Sequence, residues 1–504
     1  MAEIAAVGIV KRYGGLLAND GVNLLVERGE IHGVMGENGA GKTTLMSILF
    51  GLQAPDAGEI RVRDAPVRFR SPIDAMAAGL GMVHQSFKLF GSLTAWENIV
   101  YGAEPRRGPF VNRRAARERV AELAARHRLV VDPDVRVGDL SVGVRQRIEI
   151  LKALHRDARI LILDEPTAVL TPPERDALFA VLKSLASEGR TVLLVTHKLH
   201  EVTAITDRVT ILRDGRTVAN LRTVDTDAGE IVRAMTGRNV NLKVEKRSLE
   251  PGDTLLKAVA VTIASPSGKR AVDRVSLTVR GGEIVGIAGV AGNGQSELVE
   301  ALVGLRDPDG GRVEICGRDV TDADVARRRA AGLAYIPEDR AAVGSAPEAS
   351  AADNLAMGFH RAAPLARGPF VDPSAFAERA RELIQRFAIR IATERVNVGT
   401  LSGGNLQKIV VARELAHEAL VLIAEQPTRG LDVGATEHIH VQLLAERDSG
   451  HAVLLVSAEL SEILALSDRV LVMFEGRIVA HLPQERADEQ SVGLLMAGRG
   501  AEAA

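Results

Sequence analysis

The stretch Glu27–Gly51 reads ERGEIHGVMGENGAGKTTLMSILFG, and the octapeptide GENGAGKT at Gly36–Thr43 inside it fits the pattern GxxxxGK[ST]. The apolar run before the octapeptide predicts a buried strand, and the run after it predicts a helix. A glycine-rich loop in this setting lets backbone N–H groups face phosphates at the positive end of the helix. The sequence therefore predicts a nucleotide-binding loop made of Gly36, Glu37, Asn38, Gly39, Ala40, Gly41, Lys42, Thr43 and Thr44.

Four residues predict the chemistry at this loop. Lys42 is expected to neutralise the β- and γ-phosphates of ATP, and the Thr43 hydroxyl to coordinate Mg²⁺. Asp164 follows the apolar strand Ile160–Leu163, at the sheet edge where ligands bind in α/β folds, and is expected to hold the metal ion. Glu165 comes next and is suited to polarise the attacking water. The expected reaction is hydrolysis of ATP, with ATP and Mg²⁺ bound.

Three further residues are candidates for the same site. Gln85, after the run GLGMV, is expected to sense the metal ion and the γ-phosphate. His197 follows the strand-like run TVLLVT and is expected to contact the γ-phosphate, while Tyr13 is expected to stack on adenine. Each of these residue types is also common in packing, capping or surface positions. Their placement around the predicted loop is therefore what supports the assignment.

The whole arrangement occurs twice in the chain. The stretch Glu27–Gly51 returns as RGGEIVGIAGVAGNGQSELVEALVG at Arg280–Gly304. LSVGVRQRIEILKAL, which starts at Leu140, returns as LSGGNLQKIVVAREL, which starts at Leu401, and LILDEPTAVLT returns as LIAEQPTRGLD. Repeated motifs in one order indicate two copies of one fold. We therefore predict a first lobe at residues 1–240, a linker at 241–253 and a second lobe at 254–504.

Composition limits the kind of protein. The chain has 504 residues, 46% hydrophobic and 25% charged, with a net charge of −2, which is ordinary for a globular protein and indicates no nucleic-acid partner. Cys316 is the single cysteine, so no intramolecular disulfide is expected and a reduced cytosolic compartment fits. The N-terminus predicts no secretory signal, and no apolar run approaches the ~20 residues that span a bilayer. If the protein works at a membrane, other chains must supply the pore.

These motifs resemble those of the ABC transporter ATPases along nearly the whole chain. The resemblance rests on the loop at Gly36, on Gln85, on the LSGG-like segments at Leu140 and Leu401, on Asp164–Glu165 and on His197. It implies the α/β fold class, with two tandem P-loop NTPase (ABC ATPase) domains. Each domain is expected to have a parallel core sheet, an antiparallel β subdomain and a helical subdomain. The amphipathic stretch Asn112–Leu129 predicts the helical subdomain of the first lobe.

The same resemblance implies that the two lobes work head to tail. Each ATP is then held by the P-loop of one lobe and by the LSGGQ-like signature of the other. The signature of the second lobe is expected to open a helix whose N–H groups and serine hydroxyl complete the γ-phosphate shell at the first P-loop. Its residues are Ser402, Gly403, Gly404 and Asn405.

Departures from the family pattern fall on one of the two composite sites. The replacements in the second lobe are Gln295 for Lys42, Glu425 for Asp164, Gln426 for Glu165, Ala458 for His197 and Glu338 for Gln85. A neutral amide cannot accept a proton from water, and the facing first-lobe signature carries β-branched residues at Val142 and Val144, which suit close approach of a phosphate poorly. We therefore predict one working ATPase site. Ser296 and the glycines of the second loop leave weak ATP binding there open.

More narrowly, the fused chain resembles the ATP-binding subunits of bacterial monosaccharide and nucleoside importers. Similar to that group are YIPEDR at Tyr335–Arg340 and PTRGLDVGA at Pro427–Ala435, and similar to its nucleoside branch are HQSFKLF at His84–Phe90, LSVGV at Leu140–Val144 and IAEQPTRG at Ile423–Gly430. This implies import of nucleosides, with monosaccharides of the ribose, galactose or xylose type as the alternative. A soluble ribosome-associated tandem ATPase is a distant alternative, because it would usually carry a long charged helical linker and two intact sites.

The resemblance also implies the partners and the location. We expect transmembrane permease subunits, an extracytoplasmic solute-binding protein as an indirect partner, no nucleic acid and no direct contact with the transported solute. The implied location is the cytoplasmic face of the inner membrane, with peripheral attachment. The candidate permease contact is Ser86–Trp96, an apolar stretch for which ordinary core packing is the alternative; its apolar residues are Phe87, Leu89, Phe90, Leu93 and Trp96.

Overall fold

The chain divides into two compact units. The computed structural model describes residues 2–84, 87–167, 170–237, 246–265, 270–290, 292–360, 363–367, 370–416, 419–431, 433–496 and 498. The units are Met1–Val240, the first lobe, and Asn241–Ala504, the second lobe. Among the described residues, no helix has both the length and the hydrophobicity needed to traverse a bilayer.

The first lobe contains strands and helices in the alternation that the sequence predicts. Its strands are β1 (Ala2–Tyr13), β2 (Leu16–Glu27), β3 (Ile31–Gly36), β4 (Ala57–Val62), β5 (Ala65–Val67), β6 (Leu80–Val83), β7 (Arg106–Arg107), β8 (Phe110–Val111), β9 (Ile160–Asp164), β10 (Thr191–Val195), β11 (Arg208–Arg213) and β12 (Arg216–Arg222). Its helices are α1 (Lys42–Leu49), α2 (Pro72–Ala77), α3 (Ala95–Val100), α4 (Arg113–Arg126), α5 (Val142–His155), α6 (Pro172–Ser187), α7 (Leu199–Ile205) and α8 (Ala228–Thr236).

The central sheet of the first lobe is the parallel sheet that was predicted. Its strand order is β12-β11-β3-β10-β9-β6, and all neighbours are parallel except β11 and β12. Strands β9 and β10 are buried along their whole length because their apolar runs are covered on both faces. A separate antiparallel sheet has the order β2-β1-β4-β5, which confirms the antiparallel β subdomain.

Helices α3, α4 and α5 pack on one another and form the helical subdomain. Helix α4 begins after Asn112, whose side chain accepts a hydrogen bond from the Ala115 N–H at 3.2 Å and so caps the helix. Its buried face includes Ala116, Val120 and Ala124. The predicted helical stretch is confirmed, although the helix ends at Arg126, a few residues before Leu129.

The second lobe repeats this plan. Its strands are β13 (Thr254–Ala264), β14 (Arg270–Arg280), β15 (Glu283–Ala288), β16 (Gly310–Ile315), β17 (Arg318–Asp319), β18 (Leu333–Ile336), β19 (Ala366–Arg367), β20 (Phe370–Val371), β21 (Val421–Glu425), β22 (Ala452–Ser457), β23 (Arg469–Phe474) and β24 (Arg477–Pro483). Its helices are α9 (Gln295–Val303), α10 (Val325–Ala330), α11 (Ala351–Ala356), α12 (Pro373–Arg386), α13 (Gly403–Leu415), α14 (Val433–Asp448), α15 (Leu460–Leu466) and α16 (Glu489–Met496). The sheet orders β18-β21-β22-β15-β23-β24 and β14-β13-β16-β17 match those of the first lobe strand for strand.

The described part of the predicted linker, residues 246–253, contacts the second lobe. The Lys246 ammonium lies 3.1 Å from Asp468 Oδ1. The Gly252 N–H donates to the Gly281 carbonyl at 2.8 Å. These residues are therefore bound to the second lobe.

A buried arginine in α10 has no counterpart in α2 of the first lobe. Arg328 in α10 is fully buried, whereas Ala75 takes the same place in α2. Among the described residues, the Arg328 guanidinium donates to backbone carbonyls at the end of α9 and in the turn before α10; the acceptors are Ala301, Leu302, Thr321 and Ala323. It thereby satisfies carbonyls that the end of a helix leaves unpaired.

Candidate functional site

The glycine-rich loop of the first lobe joins β3 to α1. Gly41 precedes α1 in the left-handed region at φ 94°, and a Cβ there would overlap the Ala18 carbonyl. A Cβ at Gly36 would overlap the Leu212 carbonyl in the same way. The loop therefore passes so close to β2 and β11 that glycine is required at both positions, and its backbone is left to face a ligand.

The Lys42 side chain lies inside this loop. Its ammonium donates to the carbonyls of Gly36 at 2.7 Å and Glu37 at 3.0 Å. Burial lowers the pKa of Lys42, and the nearby charges of Glu165 and Asp164 oppose that shift. The cation is thus placed beside both predicted carboxylates, as the motif requires.

Asp164 is the last residue of β9 and is 5% exposed. Burial, helped by the charge of Glu165, raises the pKa of Asp164 to about 6, although Lys42 acts against the shift. In the described part of the chain, no side chain hydrogen-bonds the Asp164 carboxylate or the hydroxyl of Thr43, which is exposed in the first turn of α1. A hydroxyl and a carboxylate are oxygen ligands of the kind that Mg²⁺ prefers, so the two residues fit that ion.

Glu165 and His197 are in direct contact. The imidazole Nδ1 lies 2.9 Å from Glu165 Oε1, and the Glu165 N–H donates to the Val195 carbonyl at 2.9 Å, which joins the ends of β9 and β10. Burial acts to raise the pKa of Glu165, but the hydrogen bond and charge of His197, with Lys42 and Lys198, outweigh it and leave that pKa below its usual value. The carboxylate is therefore ionised at neutral pH, as a proton acceptor must be.

The two remaining first-lobe candidates differ in what the structure says of them. Tyr13 ends β1 and is 43% exposed, and its hydroxyl donates to the Gln53 side-chain oxygen. It pairs with Leu16 across the β1–β2 turn, two residues before Ala18, whose carbonyl contacts Gly41. An exposed ring is thus placed beside the loop. Gln85 lies outside the described residues.

The signature of the second lobe opens a helix, as expected. Ser402 is the N-cap of α13, and its hydroxyl oxygen accepts from the Asn405 backbone N–H at 3.4 Å and side-chain amide at 3.2 Å. Gly403 and Gly404 form the first turn. A Cβ at Gly403 would lie 2.7 Å from Arg340 Nη2, so this glycine lets an arginine lie against the helix start.

Arg340 was not predicted as a site residue. In the sequence it stands out only as the last residue of the family motif YIPEDR. The guanidinium donates to the Arg429 carbonyl at 2.8 Å while it lies beside Gly403. It therefore connects the segment after β18, the signature and the turn after β21 within the second lobe. No spacing signal in the sequence brings these three segments together.

The second-lobe loop keeps the backbone of the first and changes its side chains. Gly294 is left-handed at φ 101°, and a Cβ there would overlap the Ala271 carbonyl. The amide of Gln295 donates to the Val290 carbonyl at 3.1 Å, so no cation lies in the loop where Lys42 lies in the other lobe. The Gln426 side-chain oxygen accepts from the Ala458 N–H at 3.0 Å. A backbone amide therefore takes the place that the His197 imidazole has in the first lobe.

The carboxylate of Glu425 ends β21 as Asp164 ends β9, and it is also buried. Burial raises the pKa of Glu425, and hydrogen bonds from Tyr335 and Ser296 oppose the shift. Burial and the neighbouring Glu425 also raise the pKa of Tyr335, so the phenol stays a hydrogen-bond donor. The sequence did not single out Tyr335 as a site residue.

The helix that starts at the first-lobe signature, α5, has a carboxylate of its own lobe next to its first turn. Ser141 is the N-cap of α5, and no side-chain hydrogen bond caps the helix there. A Cβ at Gly143 would overlap Glu174, whose carboxylate also accepts from the Thr171 N–H and hydroxyl, each at 3.0 Å. A negative charge at this helix start disfavours a phosphate there.

A glycine loop with a buried lysine, a strand-end Asp-Glu pair with a histidine on the glutamate, and a serine-capped Gly-Gly helix define a P-loop ATPase of the ABC type. The family described as ABC transporter matches residues 19–168 and 272–429. The chain belongs to this family and carries two of its ATP-binding domains.

Full-length relatives support the same assignment. The chain is 43% identical to the nucleoside import ATP-binding protein NupA of Lactococcus lactis subsp. cremoris, over 98% of both chains. It is 44% identical to the guanosine import ATP-binding protein NupO of Bacillus subtilis, over 98% of this chain and 97% of that protein. It is 43% identical to the ribose import ATP-binding protein RbsA 1 of Rubrobacter xylanophilus, over 97% of both.

A solved structure shares the tandem fold. The archaeal ribosome recycling factor aABCE1, in complex with the ribosomal stalk protein aP1, matches with a TM-score of 0.63 and 21% identity. The match covers 94% of this chain and 90% of that one. At this identity the likeness concerns the fold alone.

Proposed function

We propose that this chain is the ATP-binding subunit of an importer and couples ATP hydrolysis at one composite site to solute uptake. The observation that carries the proposal is the Glu165–His197 pair beside the buried Lys42 in the first lobe. The same positions of the second lobe hold Gln426 and Gln295, which bind only backbone groups in the described contacts.

The residues of the first lobe divide the chemistry between them. The ionised Glu165 accepts a proton from the attacking water, and His197 orients that carboxylate and contacts the γ-phosphate. The loop N–H groups and Lys42 bind the phosphates, with Tyr13 stacked on adenine. Thr43, Asp164 and Gln85 would hold Mg²⁺, which supplies neutralisation of phosphate charge when bound.

We further propose that Ser402, Gly403, Gly404 and Asn405 complete this site from the second lobe, in a head-to-tail arrangement. Support comes from the cap at α13, because a helix start presents N–H groups to an anion. The opposite pairing is less favourable. The first-lobe signature begins against the Glu174 carboxylate, and it would face a loop without a lysine.

The proposed partners are transmembrane permease subunits at the cytoplasmic face of the inner membrane, where this chain is attached peripherally. The solute is delivered by an extracytoplasmic binding protein and does not touch this chain. In the first lobe Phe90 is 50% exposed and its ring lies 5.0 Å from that of Tyr101, whereas Trp96 is buried. The described part of the Ser86–Trp96 stretch, residues 87–96, thus supplies both a surface and a core, and Phe90 belongs to the surface.

The second lobe offers a matching apolar surface. A cavity of about 240 Å³ is lined by Tyr335, Pro337, Val343 and Met357, among others. Val343 and Met357 are exposed at this cavity. Pro337, Val343 and Met357 follow β18 as the Phe90 segment follows β6, so both lobes present apolar side chains at the same place in the fold. We propose these two surfaces as the permease contacts.

Nucleosides are the proposed solute, and monosaccharides are the second candidate. Support for nucleosides comes from the named functions of NupA and NupO and from the segments His84–Phe90, Leu140–Val144 and Ile423–Gly430. The ribose import relative supports the second candidate at a similar identity. Uptake by cells without this gene separates the two: loss of labelled nucleoside uptake supports the first. Unchanged nucleoside uptake with loss of ribose, galactose or xylose uptake contradicts it.

A further inference from the structure

A tyrosine hydroxyl binds the carboxylate at the end of β21. Tyr335 donates to Glu425 Oε2 at 2.7 Å, and Glu425 is 4% exposed. The fold explains the contact, because β18 and β21 pair in parallel with Tyr335 opposite Ile423. Glu425 points to the same face as Ile423, two residues further along, so the phenol reaches it diagonally.

A second hydroxyl lies at the same carboxylate. Ser296 follows Gln295 as Thr43 follows Lys42, and its hydroxyl acts to lower the pKa of Glu425. The hydroxyl and the carboxylate that correspond to the expected metal ligands of the first lobe therefore lie near each other. A metal ion at this carboxylate would have to compete with the hydrogen bond from Tyr335.

The described residues of the first lobe have no hydrogen bond that corresponds to the one between Tyr335 and Glu425. Met82 holds the place of Tyr335 in β6, and a thioether donates no hydrogen bond. In the described residues of that lobe, Asp164 accepts no side-chain hydrogen bond. At the same backbone position, the carboxylate thus has no described side-chain hydrogen bond in the first lobe and accepts one from a phenol in the second.

Mg²⁺ requires oxygen ligands in near-ideal octahedral geometry and gives up its water reluctantly. A buried carboxylate oxygen that already accepts a hydrogen bond from a phenol is less available as a metal ligand. A metal ion there would also have to displace the Tyr335 hydroxyl from its acceptor. The residues of the second lobe therefore do not fit the ion that those of the first lobe fit.

We propose that the hydrogen bond from Tyr335 to Glu425 closes the metal position of the second lobe, so that nucleotide at this P-loop is held without a divalent cation. The proposal rests on the proposed function of the first P-loop as the Mg²⁺–ATP site. The second lobe would then differ from the first in its metal requirement as well as in its catalytic residues.

Counting bound Mn²⁺ tests the proposal on the full-length chain. Mn²⁺ bound in the presence of saturating AMP-PNP is measured from the loss of the free-ion EPR signal, and bound nucleotide by equilibrium dialysis. We expect two AMP-PNP and one Mn²⁺ per chain, with Mn²⁺ binding weakened at least tenfold by Thr43→Ala and unchanged by Ser296→Ala. Two Mn²⁺ per chain, only one AMP-PNP per chain, or weakening by Ser296→Ala would overturn the proposal.

Replacing second-lobe residues with their first-lobe counterparts tests the effect of the Tyr335–Glu425 hydrogen bond separately from that of the missing lysine. Gln295→Lys alone restores the phosphate-binding cation and should still give one Mn²⁺ per chain. Gln295→Lys combined with Tyr335→Met and Glu425→Asp should give two. A second Mn²⁺ in Gln295→Lys alone, or only one in the triple variant, contradicts the proposal. If the proposed function of the first P-loop is wrong, the Thr43→Ala result differs, because Mn²⁺ binding would then not depend on Thr43.

Discussion

His197 Nδ1 lies 2.9 Å from Glu165 Oε1, at the ends of two neighbouring strands of the first-lobe sheet. The contact needs both side chains, and the second lobe has neither, since Gln426 and Ala458 occupy the two positions. In the second lobe the hydrogen bond runs instead from the Ala458 N–H to the Gln426 amide oxygen. The geometry of the strand ends is thus retained where the proton acceptor is lost.

Glu165→Gln should lower steady-state ATP hydrolysis by ~10²–10⁴-fold, because an amide cannot take the proton from water. Binding of ATP should remain, since Lys42 and the loop glycines are untouched; fluorescence of a bound ATP analogue measures it. The matched change Gln426→Glu should restore little activity to the second site, which would still have Gln295 and Ala458. Activity within threefold of wild type in Glu165→Gln would exclude this carboxylate as the base.

Asp164→Asn should stabilise the nucleotide-free protein at alkaline pH. The folded-state pKa of Asp164 is raised from 3.8 to about 6 by burial, so its ionisation costs stability above pH 6, and the cost is lost as the pH falls toward 4. By linkage the gain is about 3 kcal/mol at pH 8 and about half of that at pH 5. Thermal unfolding of the free protein at both pH values measures it, with the exposed Asp225→Asn as control. A gain that does not depend on pH would contradict the burial argument.

The fold and the first-lobe site could largely be predicted from the sequence, because they depend on local patterns. A glycine loop between an apolar strand and a helix placed Lys42, and the run ILIL placed Asp164. Contacts between distant segments were not predictable. The partners of Tyr335 and Arg340 are fixed by which strands are neighbours in the sheet and by how the turns pack, and neither has a spacing signal.

Arg328→Ala should destabilise the second lobe by about 3 kcal/mol or more, because hydrogen bonds from a charged donor contribute about 1.5–3 kcal/mol each and several buried carbonyls would lose theirs. The adjacent Arg327→Ala is the control, since that side chain is exposed. Urea unfolding followed by circular dichroism compares the two. Equal stability of both variants would show that water replaces the guanidinium without cost.

Phe90→Asp should uncouple ATP hydrolysis from transport in the assembled complex while ATP binding by the isolated chain stays intact. The reason is that Phe90 is exposed and would meet the permease, so a charge there opposes docking. Phe110→Asp is the control, since Phe110 is more exposed and lies on the β7–β8 hairpin. Loss of folding in Phe90→Asp would indicate a core residue instead.

We propose that one composite site turns over, made of the first P-loop and the second signature. The most direct test of this proposal is the ATPase rate of the assembled transporter carrying Ser402→Ala compared with Ser141→Ala. Ser402 caps α13 and is proposed to face Lys42, whereas Ser141 begins a helix against Glu174 and would face Gln295. We expect Ser402→Ala to lower the rate at least tenfold more than Ser141→Ala. Equal losses in the two variants would rule out a single working site and require that both sites hydrolyse ATP together.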